Sequence, residues 1–117
     1  KISSVETLSI NDYVNLLRYS SGLIGNSSSG IHEAASFDVP VINIGTRQKG
    51  RLRPENVIDV SHDVDEIVDG INKCLKISEK NISFNNPYGD GKSAQRIVNL
   101  LKILEIGDEI IQKRITY

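Results

Sequence analysis

From Leu23 to Glu33 the chain reads Leu-Ile-Gly-Asn-Ser-Ser-Ser-Gly-Ile-His-Glu. A short apolar run ends, small polar residues turn, and a helical pattern begins. Small side chains let a ligand approach the backbone. The first helical turn leaves N–H groups without intrahelical partners, and its dipole favours an anion. Ser27, Ser28 and Ser29 add hydroxyl donors, Gly30 leaves room, and Asn26 flanks them, so the turn suits a phosphate or diphosphate. The same serines also serve as ordinary helix caps. Glu33 lies one helical turn past Ser29. A carboxylate there opposes phosphate, but it can accept hydrogen bonds from two vicinal hydroxyls such as those of a ribose. Serines for a diphosphate and a carboxylate for a ribose describe a nucleoside-diphosphate pocket. Taken alone, Glu33 is also a favourable charge in a first helical turn, worth ~0.3–1 kcal/mol.

A second candidate is the loop Gly45–Glu55, where Arg47, Lys49, Arg51 and Arg53 alternate with other residues and Gln48 stands beside Arg47. Such a loop suits an anionic ligand, although charge runs are commonly just solvated. Gly45 and Gly50 tilt the reading toward a shaped backbone. His32 and His62 have no partners at metal-ligand spacing, so no metal site is expected. Gly91-Lys92-Ser93 imitates the end of a phosphate loop, but the earlier glycine is misplaced and no apolar strand precedes it. Tyr88, just upstream, could lean over a ligand. Cys74 is the sole cysteine and falls on an apolar helical stripe, which reads as a small buried hydrophobe.

The elements that must position these residues alternate. Ser9 or Asn11 caps a helix with Tyr13, Val14, Leu16 and Leu17 inward. Leu23–Gly25 is a short strand, followed by a helix through Ile31–Phe37 that Asp38-Val39-Pro40 breaks. Val41–Ile44 is the clearest strand and Asn56–Val60 another. Asp63 caps a helix with Val64, Ile67, Val68, Ile71, Cys74 and Leu75 at helical spacing. An irregular stretch, 81–91, leads to a helix opened by Ser93 or Asp90, with Ala94, Ile97, Val98, Leu101 and Leu104 inward. A short last helix spans Asp108–Ile115, and Val5–Leu8 is a weak strand candidate. Strands alternating with helices predict an α/β layer fold around a parallel sheet.

The chain has 117 residues, 38% of them hydrophobic, with 14 basic against 15 acidic side chains. That balance excludes the strongly basic nucleic-acid binders and fits no membrane partner. One cysteine fits a reducing, cytoplasmic setting. There is no methionine and the first residue is lysine, which suggests a piece of something longer, as do so few strands.

Several strings in order resemble UDP-N-acetylglucosamine 2-epimerases, the hydrolysing branch in particular. They are Gly25–Gly30, Glu33, Pro40-Val41-Ile42-Asn43-Ile44-Gly45-Thr46-Arg47-Gln48, Gly50-Arg51, Glu55-Asn56-Val57 and Asn86–Gly91. The resemblance runs from about Leu8 to Leu104. It implies part of the C-terminal domain of a GT-B architecture, with Rossmann-like parallel sheets and flanking helices, and the active site between two domains. On that basis residues 1–104 form a partial nucleotide-binding domain, and 105–117 a helix packing toward an N-terminal domain. Ser27 and Ser28 would contact the diphosphate, with Ser29 and Gly30 beside them, Glu33 the ribose, and Arg47 the same cleft. Asn26, Gln48, Arg51 and Glu55 are weaker assignments. The family's chemistry is proton abstraction at the sugar C2 and anti elimination of UDP, giving a 2-acetamidoglucal to which water adds. The acidic groups of those proton transfers belong to the N-terminal domain, so no catalytic residue is expected here and the segment alone would be inactive. The resemblance further implies a UDP-sugar substrate, no cofactor, a homo-oligomeric full-length protein, and a place in sialic- or legionaminic-acid type synthesis. Another GT-B glycosyltransferase, or a non-catalytic nucleotide-sugar-binding module, would share the same crevice.

Overall fold

The computed structural model describes residues 1–105 and 107. Its centre is a three-stranded parallel sheet of β1 (Leu23–Gly25), β2 (Val41–Ile44) and β3 (Val57–Val60), in that spatial order. Leu23 pairs with Val41 and Val41 with Val57, so Gly25, Asn43 and Asp59 line up across the carboxyl ends of the strands. Crevices of open α/β sheets form outside those ends.

Alternation along the strands divides the sheet into two faces. Ile42 and Val60 face α3 (Val64–Ser78), where Gly70 lets the helix approach: a Cβ there would meet Val60 and Ile42 at 3.2 and 3.4 Å. Leu23, Val41 and Val57 face the other way and pack with Tyr13, Leu17, Ala34, Phe37 and Val39. Those partners come from α1 (Ile10–Arg18) and the segment between β1 and β2. Gly30 permits that packing, since a Cβ would stand 2.7 Å from Val41 Cγ1.

Caps set the helix ends. Ser9 Oγ accepts the Asp12 N–H and caps α1, while Asp63 accepts from Asp65 and Glu66 and caps α3. The Ser61 N–H on Glu66 holds that carboxyl below its ordinary range. Ahead of α4 (Ser93–Ile103), Asp90 accepts from the Lys92 N–H and from both terminal nitrogens of Arg96.

Four expectations change. Val5–Leu8 forms no strand. The helix after the serine turn is not continuous: α2 (Ser29–His32) gives way to a 3-10 stretch, Ala34–Phe37. That stretch stops at Asp38, whose left-handed φ of 58° sets the Val39 N–H on the Ala34 carbonyl; aspartate tolerates this conformation better than most residues. The apolar stripe of α4 has the helical spacing but no layer to pack on among the described residues, and Ile97 and Leu101 stay 57% and 61% exposed. Val64, Val68 and Leu75 of α3 and Leu16 of α1 are exposed in the same way. The expected helix Asp108–Ile115 lies outside the described residues.

The β2–β3 connection is a polar loop and carries no helix. Its interior is built from amides: Asn56 is fully buried and donates 2.6 Å to the Val39 carbonyl. Asn43, also buried, donates 2.6 Å to Asp59 Oδ1.

Candidate functional site

The polar turn after β1 stands at the carboxyl edge of the sheet, beside the loop that follows β2. Gly45 and Gly50 of that loop have φ of 76° and 83°, values that residues with a Cβ rarely adopt. At Gly45 a Cβ would also strike the His62 ring at 2.6 Å.

Ser29 is the hub of the turn. Its hydroxyl donates to Glu33 Oε2 at 2.5 Å and contacts the Tyr13 hydroxyl closely. A hydroxyl has one proton to give, and Glu33 takes it, so Tyr13 is the donor in the other contact. The chain Tyr13–Ser29–Glu33 therefore aims the carboxylate. The Ser29 N–H bonds Ser27 Oγ at 3.3 Å, which leaves the Ser27 proton free. Ser27 and Ser28 are exposed. The spare hydroxyl donors of the turn are thus Ser27 and Ser28, with Gly30 buried beneath them against β2.

α2 spans only Ser29–His32. A macrodipole needs aligned peptides, so this short helix adds less than a full one would. An anion seated here would draw more of its stabilisation from hydroxyls and cations.

The cations of the loop separate by partner. Arg47 Nη1 reaches Asn26 Oδ1 at 3.4 Å, and Gln48 Nε2 donates to the Asn26 carbonyl at 2.7 Å. Arg51 Nη1 donates to His32 Nε2 at 3.1 Å, since a guanidinium has no acceptor to offer. Arg53 pairs with Asp59 at 3.0 Å, away from the turn. Lys49 is exposed. Arg47 is the cation brought to the serine turn. Glu55 lies exposed before β3, and no hydrogen bond or ion pair joins it to the turn.

Sequence reading placed Tyr13 in the core and treated His32 as a surface residue; both gain partners from other elements. The Tyr88 ring stacks on His32 with centroids 4.4 Å apart, and its hydroxyl donates to the Leu52 carbonyl at 2.9 Å. Asn86 donates to the His32 carbonyl and to Ser36. The segment 83–88 is thereby stitched over the outer side of α2, and it reaches the basic loop. A cleft of about 560 Å³ opens between this segment and the 3-10 stretch, but no residue of the serine turn lines it. Among the described residues no group of three acidic, histidine or cysteine side chains could hold a metal ion, and no helix is long and apolar enough to cross a membrane.

Comparison with known proteins puts this geometry in a family context. A family model described as UDP-N-acetylglucosamine 2-epimerase matches residues 1–102. The UDP-N,N'-diacetylbacillosamine 2-epimerase (hydrolyzing) of Legionella pneumophila is 42% identical over 102 residues, 87% of this chain and 26% of that protein. The polysialic acid biosynthesis protein P7 of Escherichia coli is 46% identical over 95 residues, covering 78% of this chain and 24% of its own. The UDP-N-acetylglucosamine 2-epimerase of Neisseria meningitidis serogroup B is 31% identical over 105 residues, 87% of this chain and 27% of that protein. The chain spans about a quarter of the length of these curated relatives.

Proposed function

The chain belongs to the UDP-N-acetylglucosamine 2-epimerase family, and on that premise we propose that it holds the leaving group of a hydrolysing 2-epimerase. The observation that carries this is the convergence of Ser27, Ser28, Glu33 and Arg47 on one turn at the carboxyl edge of a parallel sheet. The Ser27 and Ser28 hydroxyls and the Arg47 guanidinium hold the diphosphate. Glu33, aimed by Ser29, accepts from the ribose hydroxyls.

In the reaction proposed, a base removes the C2 proton of the sugar and the C1–O bond breaks, with UDP leaving. Water then adds to the 2-acetamidoglucal, so UDP-N-acetylglucosamine and water give N-acetylmannosamine and UDP; a diacetylbacillosamine analogue follows the same balance. The bond cleavage places extra negative charge on the β-phosphate. Donors fixed before that charge appears stabilise it more than donors that must reorganise. This segment's contribution is that stabilisation; the groups that move the C2 proton belong to another domain across a GT-B cleft. The names of the bacillosamine and polysialic-acid relatives support a role in sialic- or legionaminic-acid type synthesis. We place the activity in the cytoplasm, in a homo-oligomer.

Titration calorimetry with UDP tests the reading. The expected result is saturable binding that weakens on Arg47→Ala, with no release of UDP from UDP-N-acetylglucosamine by residues 1–117 alone. Undiminished UDP binding in a Ser27→Ala/Arg47→Ala double variant would refute the assignment of the seat.

A further inference from the structure

We propose that Gln48 is a positioning residue that pins the basic loop to the serine turn without touching the ligand. The proposal rests on the nucleotide seat described above. Gln48 is 2% exposed although Arg47 and Lys49 on either side are exposed. Its Nε2 donates 2.7 Å to the carbonyl of Asn26, the residue ahead of Ser27. Arg47 reaches the same residue from outside, through its side-chain oxygen. One residue of the turn is thus held by two consecutive residues of the loop.

The other half of the amide sharpens the point. Gln48 Oε1 is buried without a partner among the described residues, and an unmet buried acceptor is a standing cost. An aliphatic side chain of similar volume fills such a space without that cost. What it lacks is a donor aimed at the Asn26 carbonyl. The loop backbone is shaped to deliver it: Gly45 and Gly50 take left-handed φ on either side, and the Lys49 N–H closes a turn on the Thr46 carbonyl at 2.9 Å. Ser27 and Ser28 on one wall of the seat and Arg47 on the other then keep a fixed spacing. A diphosphate bridging both walls needs that spacing, whereas the hydrophobic core does not.

The test is Gln48→Met, which keeps volume and removes the donor, read by amide exchange in the ligand-free intact protein and by UDP calorimetry. Exchange is expected to rise about fivefold or more at Ile31–Glu33, whose N–H groups bond the Ser28 and Ser29 carbonyls, while Ile58–Val60 of β3 is unchanged. UDP affinity is expected to fall about 5- to 20-fold with the melting temperature little altered. Unchanged exchange at Ile31–Glu33, or a rise shared equally by β3, overturns the proposal. If Gln48→Met does not fold, Gln48→Glu, with a carboxylate oxygen set against the Asn26 carbonyl, is read by the same local exchange. Absence of UDP binding by the unsubstituted protein would overturn the seat itself, and the exchange comparison would still decide the pin.

Discussion

Glu33→Ala removes the carboxylate that Ser29 aims, and two opposing effects follow. The loss is the pair of hydrogen bonds from the ribose hydroxyls. Glu33 is exposed, so the lower part of the charged-bond range applies, about 1–3 kcal/mol for the pair, or roughly 5- to 150-fold in affinity. The gain is relief of repulsion with the diphosphate. For one phosphate charge about 8 Å away in a water-like dielectric that repulsion is about 0.5 kcal/mol, and physiological salt screens it further. The ribose bonds win, so UDP binding should weaken. Calorimetry with UDP and 2′,3′-dideoxy-UDP isolates the cause. Removing the hydroxyls should weaken binding to the unsubstituted protein and change almost nothing in Glu33→Ala. Ser29→Ala should fall between, since it frees one glutamate side chain to rotate, about 0.5–1.5 kcal/mol or roughly 2- to 12-fold. Equal loss for UDP and its dideoxy analogue on Glu33→Ala would refute the reasoning.

Three further predictions concern packing, burial and charge. Gly22→Ala puts a Cβ 2.4 Å from Cys74 Sγ and should cost about 1–3 kcal/mol in denaturant unfolding; adding Cys74→Ala should recover most of it, and a strictly additive double variant would dismiss that contact. Burial pushes the Cys74 thiol pKa up, so a disulfide reagent at pH 8 should label it slowly until the protein is unfolded. The Arg96 side chain, then the Lys92 N–H, pull the Asp90 carboxyl from an ordinary 3.8 down to about 2. A lowered folded-state pKa means its stabilisation is full above 3.8 and fades as pH falls through about 2. Carbon-detected NMR titration should find Asp90 near that low value, and near an ordinary aspartate in Arg96→Gln; the same midpoint in both would remove Arg96 as the cause.

Much of this site was legible from local pattern. The strand–turn–helix order around Ser27–Glu33 and the strand Val41–Ile44 follow from apolar runs and small polar residues, and the left-handed glycines at 45 and 50 follow from residue type. Partners far apart in sequence were not legible. No spacing rule connects Tyr13 to Ser29 or Tyr88 to Leu52. The basic loop looked uniform, yet Asp59 takes Arg53 and His32 takes Arg51, because pairing depends on which residues the sheet register brings near. The stripe of α4 misled in the opposite direction: periodicity says which face is apolar, not whether anything covers it.

The helix missing between β2 and β3 leaves a stretch of interior held by Gln48, Asn56 and Asn43. Such an interior is specified by direction more than by volume, because an amide bond points at one atom while an aliphatic contact slides. An aliphatic substitution there keeps the space filled and lets the walls of the site drift. A screen that reads solubility or melting would pass such variants; only a screen that reads ligand geometry would catch them.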